Sequence, residues 1–498
     1  MQRWQAKNNS LKNNMVYFRG RIHQKGKMQK KISKILLSQI FIFFSVSNHV
    51  WSQALTLSPD QERARGIFKE LIEINTTHST GNTTMAAQAL AKRLVDAGFD
   101  QKDVAVVGPA ARNQNLVVRF RGSGKKAPIL FLGHLDVVEA RREDWSMDPF
   151  ILTETGGYFY GRGSLDMKES DAILVSNFIR MKKEGFLPDR DLILALTAGE
   201  ESGGEYDGVE WLVKNRHALI DADFCINLDA GEPQRKGGKR VLRPVQISEK
   251  GIFYMTLEVK NPGGHSSQPS KNNAIYRLAD GLVHMEAYDF PIELSGVTKS
   301  YFSAMSAAES GQIAEDMKAV AGNMPDTSAV NRLAKLPYYN ALMRTTCVAT
   351  VLEAGNSINA LPQLAKATVN CRLLPGATQE EVVKTITGVL GDSQITVSVI
   401  IPLIVSPPSD PKGEIMQTVQ QVSNKLWPGI PVLPIMGVGA SDGKYLRAAG
   451  MPTYGISGVF LEVDDFRMHG KDERIRVDDF YDGLEYNYEL IRAFSTQP

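Results

Sequence analysis

An α/β sheet with helices on both faces, interrupted by an inserted α+β domain, is the fold class this sequence predicts. Three observations carry it. Continuously apolar runs of strand length alternate with helical stretches through the first half of the chain, the pattern of buried central strands joined by covering helices. Near Val245 the style changes to strands with one exposed face, accompanied by two helices. After a proline-rich stretch at 402–412 (PLIVSPPSDPK), which reads as a linker, the first style returns.

The elements follow in order. Ser58-Pro59 opens a helix, with Ser placed to cap and Pro in the first turn. Strands are predicted at 115–120, 128–133, 192–197 and 224–228, with helices at about 170–183 and 208–215. In the insert, 251–260 alternates as a half-exposed strand and a helix follows around 274–285. Strands at 346–353, 367–373 and 395–401 and a helix near 379–390 complete it. Residues 290–342 are polar, irregular and partly helical, and are assigned to no element. The α/β style resumes with strands at 432–436 and 452–456 and a closing helix from Asp478. The predicted organisation is therefore a catalytic domain in two parts, 55–244 and 405–498, with an inserted domain at 245–404. At 498 residues, 43% hydrophobic and 22% charged, the chain has material for two units.

The first 54 residues stand apart. They hold ten Lys or Arg and no Asp or Glu, and the apolar run 35–47 (ILLSQIFIFFSVS) follows Lys30, Lys31 and Lys34. Ser52 and Ala54 then sit at −3 and −1 of a cleavage before Leu55. That is the layout of a secretory signal peptide, spanning 1–54, or 28–54 if Met28 is the true start. The run is too short to span a bilayer comfortably. A secreted or periplasmic protein with no membrane attachment after cleavage is expected. Without the leader the charge is 47 basic against 55 acidic residues, or −8, which removes the electrostatic case for nucleic acid as a partner.

Three cysteines, Cys225, Cys347 and Cys371, form no CxxC pair. No disulfide framework is expected, with a single Cys347–Cys371 bridge left open. Cys225, in the apolar DFCINLD, reads as a buried small residue.

Polar residues cluster just after the apolar strands, where open α/β sheets place their sites. They are Gly133-His134-Leu135-Asp136, then Gly161-Arg162-Gly163-Ser164-Leu165-Asp166-Met167-Lys168, then Thr197-Ala198-Gly199-Glu200-Glu201, and Leu228-Asp229-Ala230-Gly231-Glu232. Met468-His469-Gly470-Lys471-Asp472-Glu473-Arg474-Ile475 follows near the C-terminus. Singly, each has an ordinary reading: a surface pair, a turn cap, a solvated Glu-Glu. The glycine-rich turn lacks the spacing of a phosphate loop. Together, imidazoles and carboxylates without thiolates suit catalytic zinc. Two zincs about 3.5–4 Å apart would need a shared carboxylate, and a further carboxylate off the metals would move the proton.

These motifs resemble those of the M20 metallopeptidases, which include glutamate carboxypeptidases, aminoacylases, succinyl-diaminopimelate desuccinylases and carnosinase-like dipeptidases. The resemblance covers essentially the whole chain after the leader and implies a zinc-peptidase-type mixed sheet with an inserted lid. It implies two Zn2+, with Co2+ or Mn2+ as alternatives: His134 and Asp229 on one ion, Glu201 and His469 on the other, Asp166 bridging. Asp136 would orient His134, and Glu200 would be the general base. In the insert, Asn261-Pro262-Gly263-Gly264-His265 resembles the lid motif whose histidine stabilises the oxyanion, in some relatives across a dimer interface. Asn359, Arg372 and the Ser441-Asp442-Gly443 loop match substrate-binding positions. Arg372 suits a carboxylate because its planar fork bonds bidentately.

The implied reaction is hydrolysis of an amide next to a free carboxylate, without a covalent intermediate. The substrate is a small peptide, cut by a carboxypeptidase or dipeptidase, or alternatively an N-acyl amino acid. A non-catalytic peptide-binding relative is the third reading. A homodimer through the lid is a further expectation from the resemblance.

Overall fold

The computed structural model describes residues 57–496, apart from 203–205 and 325; the leader expected at 1–54 lies outside the described residues. The ten-stranded mixed sheet is ordered by hydrophobic demand. Its centre is the strand Ile129–His134, every residue of which is buried. Leu192–Thr197 lies on one side and Phe224–Asn227 on the other, both parallel to it. Alternate side chains leave the strand on opposite faces. Ile129 and Phe131 join the core beneath the helices Pro59–Glu73, Thr83–Asp96, Lys168–Lys183 and Val477–Ser495. Leu130 and Leu132 join a second core with Val209 and Leu212 of the helix Gly208–Asn215 and Leu446 of Gly443–Ala448. Outward from the centre, Asn113–Phe120 and Val104–Ala110 add antiparallel strands on one edge. On the other, Thr453–Gly455 pairs parallel with Phe224–Asn227, and Lys239–Glu249 follows.

The first helix shows how directly local chemistry is obeyed. Ser58 caps Pro59–Glu73, its hydroxyl accepting from the Gln61 N–H while the Gln61 side chain accepts from the Ser58 N–H. That reciprocal box satisfies two otherwise orphaned donors.

The second sheet is antiparallel, in the order Thr346–Ala354, Leu364–Leu373, Gly251–Lys260, Thr396–Ile401. Phe253, Met255, Leu257 and Val259 point to one face and pack on the helices Ala274–Glu286 and Gln379–Leu390. Strand Lys239–Glu249 stays in the large sheet as far as Glu249, so the change of sheet falls at Lys250, a few residues beyond the change of style near Val245. The bridge left open in the sequence is formed: Cys347 and Cys371 face each other across neighbouring strands and are disulfide-bonded. Cys225 is buried and free.

The stretch left unassigned at 290–342 is helical. Gly296–Met305, Gly311–Ala321, Thr327–Leu333 and Pro337–Met343 pack around Phe302, Met317 and Leu333, and are seated on Leu242, Leu374 and Met436. Among the described residues no helix is long and apolar enough to cross a membrane.

Candidate metal centre

Parallel strands end together, so the residues that follow them converge. His134 ends the central strand, opposite Thr197 of its neighbour. Glu200 and Glu201 follow that neighbour after a turn at Gly199 (φ +86°), where the Cβ of any other residue would strike the Tyr206 carbonyl. Asp229 follows the strand on the other side. Asp166 arrives just before the buried helix Lys168–Lys183.

Two groups of ligand-type atoms result, and they share Asp166. In the first, His134 Nε2 lies 3.1 Å from Asp166 Oδ1 and 3.4 Å from Asp229 Oδ1. In the second, His469 Nε2 lies 2.9 Å from Asp166 Oδ2 and 2.8 Å from Glu201 Oε1. His134, Glu200 and Glu201 also come within reach of one another. His469 occupies the left-handed backbone region at φ +60°, a conformation uncommon for a residue with a side chain and typical of functional positions.

The donor set fits cations. His134 Nδ1 faces the Asp136 main-chain oxygen at 3.1 Å. A proton held there leaves the neutral ring with its Nε2 lone pair aimed at two carboxylates, which is repulsive unless a cation intervenes. Asp166 Oδ1 is buried without a hydrogen bond. Without a metal the charges settle by protonation. Burial opposes the imidazolium of His134, but Asp229 and Asp166 prevail and hold its pKa well above the usual value. Hydrogen bonds to Asp166 and Glu201 push His469 up to about 10. Burial, then the neighbouring Asp229, pushes Glu200 well above the carboxylate range; burial likewise raises Glu201 and Asp229.

The surrounding residues hold this arrangement in place. The carboxylate expected to brace His134 lies 4.0 Å from Nδ1; it is the Asp136 carbonyl that meets the ring. The carboxylate instead accepts from the N–H groups of Gly199, Glu200 and Glu201. Glu473, which the sequence did not single out within HGKDER, accepts from the N–H groups of Leu165 and Asp166 at 2.7 and 3.1 Å and pairs with buried Arg162. Arg162 in turn donates to the Gly470 carbonyl at 3.1 Å, tying the Asp166 and His469 loops together. Glu249, with no sequence signal, accepts from Ser441 N–H and Oγ–H and pairs with Arg447.

The remaining predicted residues fall in three places. Ser441 and Gly443 are buried beside the strand ends: Asp442 between them accepts from Thr197 Oγ1 at 2.9 Å, and Gly443 N–H donates to Ser441 Oγ. Arg372 lies on the small sheet with Nη1 buried and unpartnered; burial lowers its pKa, opposed by Tyr254, Glu249 and Glu200. His265 and Asn359 are exposed on one short ribbon, where His265 pairs with Ala360 and Ser266 N–H donates to the Asn359 carbonyl. Among the described residues, no hydrogen bond or ion pair joins that ribbon to the His134–His469 cluster.

The model of peptidase family M20/M25/M40 matches residues 130–493. The chain belongs to that family. Among curated M20 relatives it is 29% identical over 381 residues to the N-fatty-acyl-amino acid synthase/hydrolase PM20D1 of Homo sapiens, covering 74% of each chain. It is 28% identical over 393 residues to the probable carboxypeptidase S-like 2 of Dictyostelium discoideum, covering 76% of this chain and 74% of the relative. Its fold is similar to that of the M20 metallo-carboxypeptidase Sso-CP2 of Sulfolobus solfataricus (TM-score 0.66, 17% identity, 86% of this chain and 99% of the other). The M20 match makes this chain a hydrolytic enzyme with an α/β catalytic fold and a lid.

Proposed function

We propose that this M20 hydrolase is an exported two-metal amidohydrolase that cleaves the amide of an N-acyl amino acid or small peptide beside a free carboxylate. The observation that carries the reading is the pair of ligand groups sharing Asp166, with Glu200 next to both. His134 and Asp229 would hold one ion, Glu201 and His469 the other, and Asp166 would bridge. The nitrogen and oxygen donors without thiolate suit zinc, with cobalt or manganese as substitutes. Bound there, the metals would acidify a water and polarise the scissile carbonyl. Glu200, off the metals, takes the water's proton and returns it to the leaving amine. Arg372, with its unpartnered buried Nη1, receives the substrate carboxylate. His265 and Asn359 share one ribbon, so lid closure would deliver them together, His265 to the oxyanion and Asn359 to the substrate.

Of the two substrate classes, the N-acyl amino acid is favoured, because the human relative carries that activity in its name; the Dictyostelium relative keeps the peptide reading in play. Export is supported by the leader pattern in residues 1–54 and by the Cys347–Cys371 disulfide, a bond that persists in oxidising compartments.

The test is a panel of N-acyl amino acids and dipeptides offered to metal-loaded protein, with Glu200→Gln alongside. Wild type should hydrolyse members of the panel, and Glu200→Gln should retain its metal while losing turnover. Near-normal turnover in that variant removes the mechanism. Intact metal binding with no hydrolysis of any member removes the proposed substrate classes.

A further inference from the structure

Ser441, one of the positions matched to substrate binding, has a hydroxyl that is already committed. Its Oγ–H donates to Glu249 Oε2 at 3.0 Å, the same oxygen that accepts from the Ser441 N–H at 2.7 Å. Its lone pairs face Asn227 Nδ2 and the Gly443 N–H, each donating at 3.3 Å. A hydroxyl offers one donor and two acceptor sites, so none is left for a substrate.

Asn227 carries the chain of hydrogen bonds to the metal centre. It ends the strand Phe224–Asn227, and its Oδ1 accepts from the Asp229 N–H at 3.1 Å. Every step donates in the same direction, from the Asp229 N–H through Asn227 and Ser441 to the Glu249 carboxylate. A charged acceptor at the end of such a chain strengthens each bond in it. Asn227, Ser441, Glu249 and Arg447 are each at most 4% exposed, so bulk water offers no substitute when one partner is removed.

The chain ends where the lid begins. Glu249 is the last residue of Lys239–Glu249, opposite Gly437 in the large sheet, and the first lid strand starts at Gly251. Arg447, whose guanidinium pairs with Glu249, also donates from Nε to Ser406 Oγ at 2.9 Å. Ser406 lies on the segment returning from the lid, and a little further along it the Ser409 N–H donates to the Ile247 carbonyl at 2.8 Å. Both connections of the lid therefore meet at the Glu249–Arg447 pair.

We infer that Ser441 is a positioning residue and not a substrate contact: with Asn227 it ties the metal ligand Asp229 to Glu249 at the lid crossing. The inference rests on the reading of Asp229 as a metal ligand. Groups that hold a ligand in place are worth roughly ten- to a hundredfold in metal affinity, and that contribution is present before any substrate arrives.

The experiment measures zinc affinity by competition with a chelator, without substrate, for wild type, Ser441→Ala, Glu249→Gln, the double variant and Asp229→Ala, with Tm recorded for each. KM at saturating zinc is then measured for a substrate with a free carboxylate and for its amidated analogue. Ser441→Ala should weaken zinc binding about tenfold or more and leave the ratio of the two KM values unchanged. Glu249→Gln, which also takes the counter-ion from Arg447, should weaken zinc at least as much. The double variant should bind no worse than the weaker single variant, because both changes break one chain. Where Glu249→Gln does not fold, Asn227→Ala takes its place in the cycle. Wild-type zinc affinity in Ser441→Ala, with KM raised for the carboxylate substrate alone, makes Ser441 a substrate contact and overturns the inference. Losses that add in the double variant overturn the connection to Glu249. Asp229→Ala that binds zinc as tightly as wild type removes the ligand assignment itself, and the inference with it.

Discussion

Asp136 holds Glu201 by its main chain: Asp136 Oδ2 accepts from the Glu201 N–H at 3.0 Å, while Oδ1 accepts from the Gly199 N–H at 2.7 Å. One carboxylate thus sets the turn that presents both the proposed base and a proposed metal ligand. Asparagine here would keep one acceptor and turn an NH2 towards N–H donors. Each buried amide left unsatisfied costs about 1–3 kcal/mol. Asp136→Asn is expected to lower kcat by about 100-fold or more and to weaken metal retention, read by steady-state kinetics and metal analysis. Wild-type kcat in a folded variant would show that the turn does not depend on this clamp.

Metal binding should release protons. In the metal-free protein His134 is held well above its usual pKa and His469 at about 10, so at pH 7 both rings carry protons that a cation must displace. Apparent metal affinity should therefore rise with pH across the neutral range. The linkage sign for the metal-free protein runs the other way. A raised histidine pKa stabilises the fold fully below the unfolded value of about 6.5 and ceases to do so as pH climbs through about 10. Tm of the chelator-treated protein should fall over that window more than Tm of the metal-loaded protein. Calorimetric titration in buffers of different ionisation enthalpy measures the proton release directly; none at pH 7 contradicts the assigned ligands.

The strands were legible because buried parallel strands are continuously apolar: Leu192–Thr197 is found where the sequence placed it, and Phe224–Asn227 differs by one residue. The ligand-type residues were legible because they follow such strands immediately. What escaped was fixed by tertiary contacts. Glu249 lies at the end of a strand crowded with charge (KRVLRPVQISE) and becomes meaningful only when the Ser441 loop, far along the chain, packs onto it. The helices at 296–343 are short and share their core with Leu242, Leu374 and Met436, so no one of them shows a long apolar period.

Arg372 should discriminate by charge. Its Nη1 is buried without a partner, which is costly unless an anion arrives. Arg372→Ala is expected to reduce kcat/KM for substrates with a free carboxylate by about 100-fold, while their amidated analogues change within a few-fold; Arg372→Lys should restore only part of the loss. Equal losses on both series would move the carboxylate elsewhere.

The disulfide bears on the same guanidinium. Cys347 and Cys371 are the register pair immediately beside Thr346 and Arg372, so the bond pins the edge strand at the point where Lys250 also holds Thr346. With a sequence separation of 24 between the cysteines, the chain-entropy model assigns the bond about 3 kcal/mol. Reduction, or replacing both cysteines by serine, is expected to lower Tm and to raise KM for carboxylate-bearing substrates more than for amidated ones, because Arg372 loses its fixed neighbour. Thiol counting provides the check. Cys225 is buried, and burial raises its thiol pKa far above the usual value, so it should stay unreactive in the folded protein. The oxidised chain should then show no reactive thiol when native and one when denatured. After reduction, the denatured chain should show all three. Three thiols in the denatured, unreduced protein would mean that the bridge had never formed.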